Sequence, residues 1–207
     1  MAPKAIEQTL REKVIKAAVK YVADNGPDGL SFRQIAADAG VSHQAPYHHF
    51  GDRSAIFGEI ALEGFRKFAV VMGAPARADE DTENCVRLCE RYVDFAIANK
   101  GHFRVMFRAD LCQMHESPET QKAADDAFAT LLEAVSEMVG DSASIMVGDS
   151  ASIEEIRVQA TAMWSLAHGL ATLIIDGPLE HKIGKVSDRR ALVRSVAQRA
   201  AEGLRRA

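Results

Sequence analysis

A run of hydrogen-bonding side chains with no carboxylate among them occupies residues 42–51 of the chain. The run contains, in order, Ser42, His43, Gln44, Tyr47, His48 and His49. Side chains of these types can bond to base edges and phosphate oxygens, whereas carboxylates are repelled by phosphates. This segment therefore favours contact with a nucleic acid.

Two short helices joined by a glycine turn are predicted to position these side chains. Ser31 with Gln34 three residues later forms a capping-box pattern, which predicts a helix start. Gly40 is typical of a left-handed C-terminal cap, and Ser42 is predicted to cap a second helix that runs to about His49. Two helices separated by about three residues predict a helix-turn-helix, whose second helix can enter the DNA major groove.

The same segment resembles a known family of regulators. The pattern Ser42-x-x-x-x-Tyr47-x-His49-Phe50-x-x-Arg53, after Gly40-Val41, resembles the DNA-binding signature of the tetracycline-repressor (TetR) family. Arg53 stands where that family usually has lysine, and either side chain can contact a phosphate. The resemblance extends over roughly residues 10–60, about a quarter of the chain.

A second resemblance lies in the C-terminal half. The segment Met163-Trp164-Ser165-Leu166-Ala167-His168-Gly169 is similar to a Trp-x-x-x-His-Gly segment in the ligand-binding domain of one TetR subgroup. The resemblance implies a domain that binds a small molecule and forms a dimer.

Each residue of the candidate DNA surface has an expected role. Tyr47 and Arg53 resemble phosphate contacts, which position a protein on DNA, whereas His43 and Gln44 resemble readers of base edges. Arg33 is expected to reach phosphate or base. The full predicted surface is Ser31, Arg33, Ser42, His43, Gln44, Tyr47, His48, His49 and Arg53. The alternative is an ordinary helical corner with no DNA contact.

Charge and cysteine content limit the classes of function. The 207 residues carry a net charge of −4, of which residues 1–56 contribute +1 and the remainder −5. The DNA prediction therefore rests on the motif and not on a strongly basic surface. Three cysteines provide no disulfide framework, which favours a reducing, cytoplasmic setting. The N-terminus lacks an apolar run like that of a signal peptide, and we expect no membrane partner.

Apolar periodicity predicts an all-α fold of about nine helices. We expect a helix-turn-helix DNA-binding domain at residues 1–54 and a ligand-binding and dimerisation domain at residues 55–207. Residues 158–175 contain no Asp, Glu, Lys or Arg, but they include enough polar side chains to favour a helix buried all round by protein over a membrane span. Residues 138–145 recur unchanged at 146–153, and the Gly-Asp-Ser cluster in each copy predicts a loop.

A candidate ligand pocket consists of apolar side chains from separate predicted helices, with one histidine as a polar anchor. Its residues are Phe65, Phe68, Met72, Cys89, Phe103, Met106, Phe107, Trp164 and His168. Deformable methionine and a few polar groups are typical of such pockets. The alternatives are a plain hydrophobic core and a structural histidine bonded to a backbone carbonyl.

We expect no metal, cofactor or catalytic centre. His48 and His49 are adjacent on a helix and cannot easily share one ion, and Cys85 and Cys89 lack further ligands at a typical zinc spacing. No nucleophile motif or phosphate-binding glycine loop occurs. Thiol sensing at the cysteine pair stays open as an alternative to simple burial.

The function that these patterns favour is a ligand-responsive transcriptional regulator, expected to be a repressor. Its expected partners are a double-stranded, palindromic DNA operator, a small and mostly apolar effector, and a second copy bound through the last two helices. The alternative is a helical enzyme or carrier that retains a vestigial helix-turn-helix. The absence of catalytic motifs disfavours the enzyme.

Overall fold

The computed structural model describes residues 2–73, 81–112, 117–146 and 153–204, which form eleven helices and no strand. The helices are α1 Ala2–Asn25, α2 Phe32–Ala39, α3 Ala45–Phe50, α4 Arg53–Met72, α5 Asp81–Ala98, α6 Lys100–Met106, α7 Ala109–Cys112, α8 Pro118–Met146, α9 Ile153–Ile175, α10 Pro178–Ile183 and α11 Arg189–Leu204. The all-α prediction is confirmed.

The predicted count of nine helices is wrong because two short helices were read as breaks. The four-residue helix α7 begins three residues after α6 ends, and α10 begins at a Gly177-Pro178 pair, which in sequence is typical of a helix end. Proline lacks a backbone N–H, but the first residues of a helix need none, so Pro178 starts a new helix. The last two long helices are therefore α9 and α11, with α10 between them.

The described residues divide into two compact units. One lies within Met1–Lys67 and Asn99–Asp125, and the other lies within Phe68–Ala98 and Asp126–Ala207. This division places α6 and α7 with the N-terminal helices, whereas the sequence boundary at 54/55 separates them. The functional domain boundary stays a prediction, since compactness alone does not assign function.

In the first unit, α6 packs directly against α1. A Cβ atom added at Gly101 would lie only 2.2 Å from the carbonyl oxygen of Val19, so only glycine allows this approach. Three residues later, the Arg104 guanidinium donates to the carbonyl oxygens of Val22 and Ala23, at 3.1 and 3.0 Å. A cation at the last carbonyls of a helix is favourable, so Arg104 caps α1.

In the second unit, α5 packs against α9 and α11. Arg194 on α11 forms ion pairs with Glu83 and the nearly buried Glu90, both on α5. Asp188 starts α11, because its side chain accepts the Ala191 backbone N–H at 2.9 Å.

Within the single chain, the predicted apolar helix is only partly buried. Ala160, Ala167 and Ala171 of α9 are buried, but Val158 and Leu173 are 54% and 43% exposed. Ile156–Ile175 is the one stretch of the described residues long and apolar enough to cross a membrane, a property that core helices of ordinary globular proteins share. The exposed apolar side chains of α9 have no covering element within the described part of this single chain.

The loop predicted for the duplicated octapeptide is wrong for the first copy, since the backbone is helical throughout residues 138–145. A single glycine costs a helix only about 1 kcal/mol relative to alanine, which is too little to end one that is already propagating. The second copy lies outside the described residues, apart from Met146, which ends α8, and Ile153, which begins α9.

The close crossing of α1 and α6 gives a test of the fold. Gly101→Ala should destabilise the protein by about 1–3 kcal/mol, because backbone atoms of α1 would have to move away from the new methyl group. Urea unfolding at fixed protein concentration measures this. Gly58→Ala is the matched control, because its Cβ would lie 3.6 Å from the Cys112 oxygen, an ordinary contact. Equal stabilities of the two variants would contradict a constraint at Gly101.

Candidate DNA-binding surface and ligand cavity

The first helix of the predicted pair begins and ends where the sequence indicates. The Ser31 side-chain oxygen accepts the Gln34 backbone N–H at 3.2 Å, and Gly40 ends α2 with a left-handed φ of 64°. The reciprocal half of the capping box is absent, because the Gln34 amide donates instead to Asp38 at 2.8 Å. Ser31 and Gly40 thus mark the start and end of α2 as predicted, but the Gln34 side chain pairs with Asp38 and not with the backbone of Ser31.

The second helix, α3, begins later than predicted. Gln44 is its N-terminal cap residue, and Ser42 contributes only its backbone oxygen, which accepts the Ala45 N–H at 3.0 Å. The prediction of Ser42 as a side-chain cap is therefore wrong. His43 and Gln44 lie in the turn before α3, and Pro46 is tolerated because it occupies the first turn.

Most of the predicted DNA-contacting side chains lie on the accessible side of this pair of helices. The exposed residues are Ser31, Arg33, Ser42, His43, Gln44, Tyr47, His48 and Arg53, and His49 is partly buried. The opposite side is closed by Phe32, Ile35 and Phe50, which are buried. Such an arrangement presents hydrogen-bonding groups to a ligand while the apolar side holds the helices together. The role of each side chain in contacting DNA stays a prediction.

Two of these side chains are held by contacts that the sequence did not indicate. The Tyr47 ring packs edge-on against Phe32 with centroids 4.5 Å apart, and Tyr47 is still 57% exposed. The Arg53 guanidinium donates to the backbone oxygen of Leu30 at 3.1 Å. Arg53 therefore also ties the start of α4 to the segment before α2, in addition to the phosphate contact that the resemblance implies.

The turn between α3 and α4 is held by Asp52. Its carboxylate accepts hydrogen bonds from the Ser54 hydroxyl at 2.7 Å and from the Ala55 N–H at 2.9 Å. These bonds, the hydroxyl first, lower the pKa of Asp52. Asp52 is therefore an ionised N-terminal cap of α4, where a negative charge is favourable.

Arg11 on α1 contacts the end of α3, a contact that sequence reasoning missed. Its guanidinium lies 5.2 Å from the centroid of the Phe50 ring and forms an ion pair with Glu59 on α4. One side chain therefore contacts the end of α3 and the first half of α4. A separation of 48 residues between Arg11 and Glu59 leaves no local pattern from which to infer the pair.

The second unit contains a cavity of about 340 Å³. Its walls come mainly from α5, α9 and α11, and the lining side chains are almost all apolar. Three of the predicted ligand residues, Met72, Cys89 and Trp164, lie in these walls, and so do Cys85 and Tyr92. This volume falls in the range of small-molecule sites, which is about 300–1,000 Å³.

A chain of hydrogen bonds runs through the polar part of the wall. The Trp164 indole N–H donates to the Tyr92 oxygen at 3.1 Å, and the Tyr92 oxygen lies 2.9 Å from Nδ1 of His168. Burial raises the pKa of Tyr92 and lowers the pKa of His168. Both groups are therefore uncharged near neutral pH, and Nδ1 of His168 is paired with a tyrosine, a partner that the sequence did not indicate.

The remaining predicted ligand residues do not gather in this cavity. Phe68 packs against Tyr92 and Phe95, with centroids 5.2 and 5.1 Å apart. Four other predicted ligand residues belong to the first unit, namely Phe65, Phe103, Met106 and Phe107. There the Phe107 ring packs edge-on against the rings of Phe65 and Phe103. An apolar period indicates burial but does not identify the neighbour. Tyr92, which lies seven residues after Cys85 on the same face of α5, was missed.

Cys85 and Cys89 line the cavity, but the thiol of Cys89 has low reactivity. Burial, and then the nearby Glu90 charge, raises the pKa of the Cys89 thiol to about 11. The thiol is therefore protonated at neutral pH, and a protonated thiol is a poor nucleophile. This disfavours the thiol-sensing alternative at Cys89.

Two family models match separate regions of the chain. The model described as "Bacterial regulatory proteins, tetR family" matches residues 14–60. The model described as "Tetracyclin repressor-like, C-terminal domain" matches residues 85–199, more than half of the sequence. Together they include the helix-turn-helix and most of the residues that line the cavity.

Individual relatives are more distant. The chain is 26% identical over 175 residues to the uncharacterized HTH-type transcriptional regulator YobS of Bacillus subtilis, covering 84% of this chain and 83% of that protein. It is 26% identical over 123 residues to the HTH-type transcriptional repressor AcnR of Corynebacterium diphtheriae, covering 59% and 63%.

Solved structures share the fold. A protein of unknown function from Rhodococcus sp. RHA1 superposes with a TM-score of 0.70 at 26% identity, covering 95% of this chain and 94% of that one. The fatty acid degradation regulator FadR from Bacillus halodurans superposes with a TM-score of 0.68 at 18% identity, covering 99% and 98%.

The exposed turn and helix can be tested by comparing two substitutions. Gln44→Ala should relax sequence preference at particular base pairs, at a cost of about 1–3 kcal/mol there. Tyr47→Phe should weaken binding to all duplexes alike, because it keeps the ring against Phe32 and removes only a hydroxyl expected to contact phosphate. Binding curves on a library of duplexes measure both effects. A uniform loss from Gln44→Ala would remove Gln44 from the base readers.

Proposed function

The chain belongs to the tetracycline-repressor family of bacterial transcriptional regulators, and we propose that it is a repressor whose release from DNA is triggered by a small apolar effector. The observation that carries the proposal is the pairing of an exposed helix-turn-helix in one unit with an apolar cavity in the other. The repressor assignment is supported by the AcnR relatives, whose name states that role. The Trp-x-x-x-His-Gly segment supports placement in the corresponding subgroup.

The proposed dimer buries the apolar surface of α9. Val158 and Leu173 are exposed in the single chain, and large exposed apolar side chains on one helix are typical of an interface. A two-fold dimer through α9 and α11 would present two copies of α3 to half-sites about 34–36 Å apart, one turn of the duplex. The operator should accordingly be palindromic.

Effector binding is proposed to act through α4. This helix contributes residues to both units, since the division between them falls at Lys67 and Phe68. Met72 at its C-terminal end lines the cavity, and Arg53 at its other end borders the predicted DNA surface. A preference of the effector for the conformer that does not bind DNA, worth about 1–3 kcal/mol, would be enough to release the operator.

DNA binding is tested most directly with the sequence upstream of the chain's own gene. The full-length protein should retard this duplex in a gel in the presence of excess unrelated DNA, and its affinity should fall as salt rises. A duplex with the palindrome scrambled is the control. Binding to neither duplex, together with turnover of a bound metabolite, would favour the enzyme or carrier instead.

Dimerisation is tested by a charge on the exposed side of α9. Leu173→Glu should shift the protein from dimer to monomer in sedimentation at micromolar concentration and should weaken operator binding at the same time. The free energy of unfolding of the monomer should change little, because Leu173 is already 43% exposed there. Val70→Glu is the matched control, since Val70 is 77% exposed on a different helix of the same unit. A monomer with unchanged operator affinity would contradict the proposed assembly.

A further inference from the structure

The walls of the cavity in the second unit carry no formal charge. Among the described side chains that line it, none is an aspartate, glutamate, lysine, arginine or histidine. A charged group that entered would lose its hydration without gaining an opposite charge, which is strongly unfavourable in an apolar environment. Charge selectivity is thus built into the composition of the walls.

The hydrogen-bond donors of the aromatic wall residues are already used within the protein. Trp164 has one donor, its indole N–H, and this is directed to the Tyr92 oxygen. Because an indole can only donate, the Tyr92 oxygen accepts there, and donation of its single O–H to Nδ1 of His168 satisfies both groups. A ligand carbonyl or carboxylate could reach these donors only by breaking the bonds between the three side chains.

The neighbouring titratable groups leave no unpaired charge at the cavity: Glu90, whose charge is felt by Cys89, does not line the walls and forms an ion pair with Arg194. His168 is neutral because burial lowers its pKa, so it offers no cation to an anionic ligand. Cys89 is protonated because burial raises the pKa of its thiol to about 11, so it offers no anion to a cationic ligand. His168 therefore offers no positive charge with which to anchor an anionic ligand.

We propose that this cavity selects uncharged apolar molecules and rejects anions of the same skeleton, with Tyr92 as the residue that keeps the aromatic donors internally paired. The inference rests on the proposed function, because it specifies the chemical class of the effector. Affinity then comes from burial of apolar surface against Met72, Leu88 and Leu131.

Two fluorescent probes with one skeleton provide the test. N-phenyl-1-naphthylamine is uncharged, and 8-anilinonaphthalene-1-sulfonate differs from it by a sulfonate group. The full-length protein without DNA is titrated with each probe, and quenching of Trp164, the one tryptophan of the chain, reports entry into the cavity. The neutral probe should bind at least about 100-fold more tightly, because the sulfonate would be desolvated without a partner.

A variant that fills the cavity locates the bound probe. Ala197 is buried in the wall, so Ala197→Phe should abolish binding of the neutral probe. Ala191→Phe is the matched control, because Ala191 is exposed on the same helix and does not line the cavity. If circular dichroism shows that Ala197→Phe is unfolded, Ala167→Leu fills the same cavity from α9 with a smaller side chain.

Each outcome decides the proposal. The proposal is supported if the neutral probe binds tightly, the sulfonated probe binds weakly, and the cavity-filling substitution abolishes binding of the neutral probe. Comparable affinities for the two probes, no binding of the neutral probe, or binding that survives filling would overturn it. The titration contains no DNA, so a failure of operator binding in the separate gel experiment would remove the regulator and leave the measured selectivity of the cavity intact.

Discussion

The close approach of α6 to α1 is the contact on which the geometry of the first unit depends. Gly101 lies against the backbone of Val19, and this approach brings Arg104 to the last carbonyls of α1. The same α1 carries Arg11, which contacts Phe50 and Glu59. The helix α6 therefore fixes α1, and α1 in turn supports α3 through Arg11. Arg104 lies 82 residues after Val22, its partner on α1.

In the second unit, partly buried polar groups lie beside an apolar cavity and require hydrogen-bond partners. Trp164, Tyr92 and His168 satisfy one another, and their burial keeps the last two uncharged. An unpaired polar atom at this depth would cost about 1–3 kcal/mol, so the three side chains are best understood as one connected group. The cavity can stay apolar because the indole N–H of Trp164 and the hydroxyl of Tyr92, which line it, are paired within the protein.

Local signals in the sequence predicted local structure well. Ser31 and Gly40 act on backbone groups within four residues of themselves, and α2 begins and ends where these residues indicate. The start of α3 was predicted two residues too early, since Gln44 and not Ser42 is its N-terminal cap residue. Two errors came from treating weak signals as decisive: the glycine of the repeat does not end α8, and Gly177-Pro178 both ends one helix and starts another.

Contacts between distant residues could not be predicted in the same way. The pairing of Arg11 with Phe50 and that of Tyr92 with His168 depend on how helices cross, which a single sequence does not encode in its spacing. The candidate ligand residues show the same limit. Phe103 and Trp164 both read as buried aromatics, yet they belong to different units.

The position of His43 and Gln44 in an exposed turn has a consequence for how such a regulator diverges. Neither side chain is part of the buried surface formed by Phe32, Ile35 and Phe50. Replacement of an exposed turn residue usually changes stability by less than about 0.5 kcal/mol. Substitutions at these two predicted base readers are therefore expected to change operator preference in a duplicated copy without an intermediate that fails to fold.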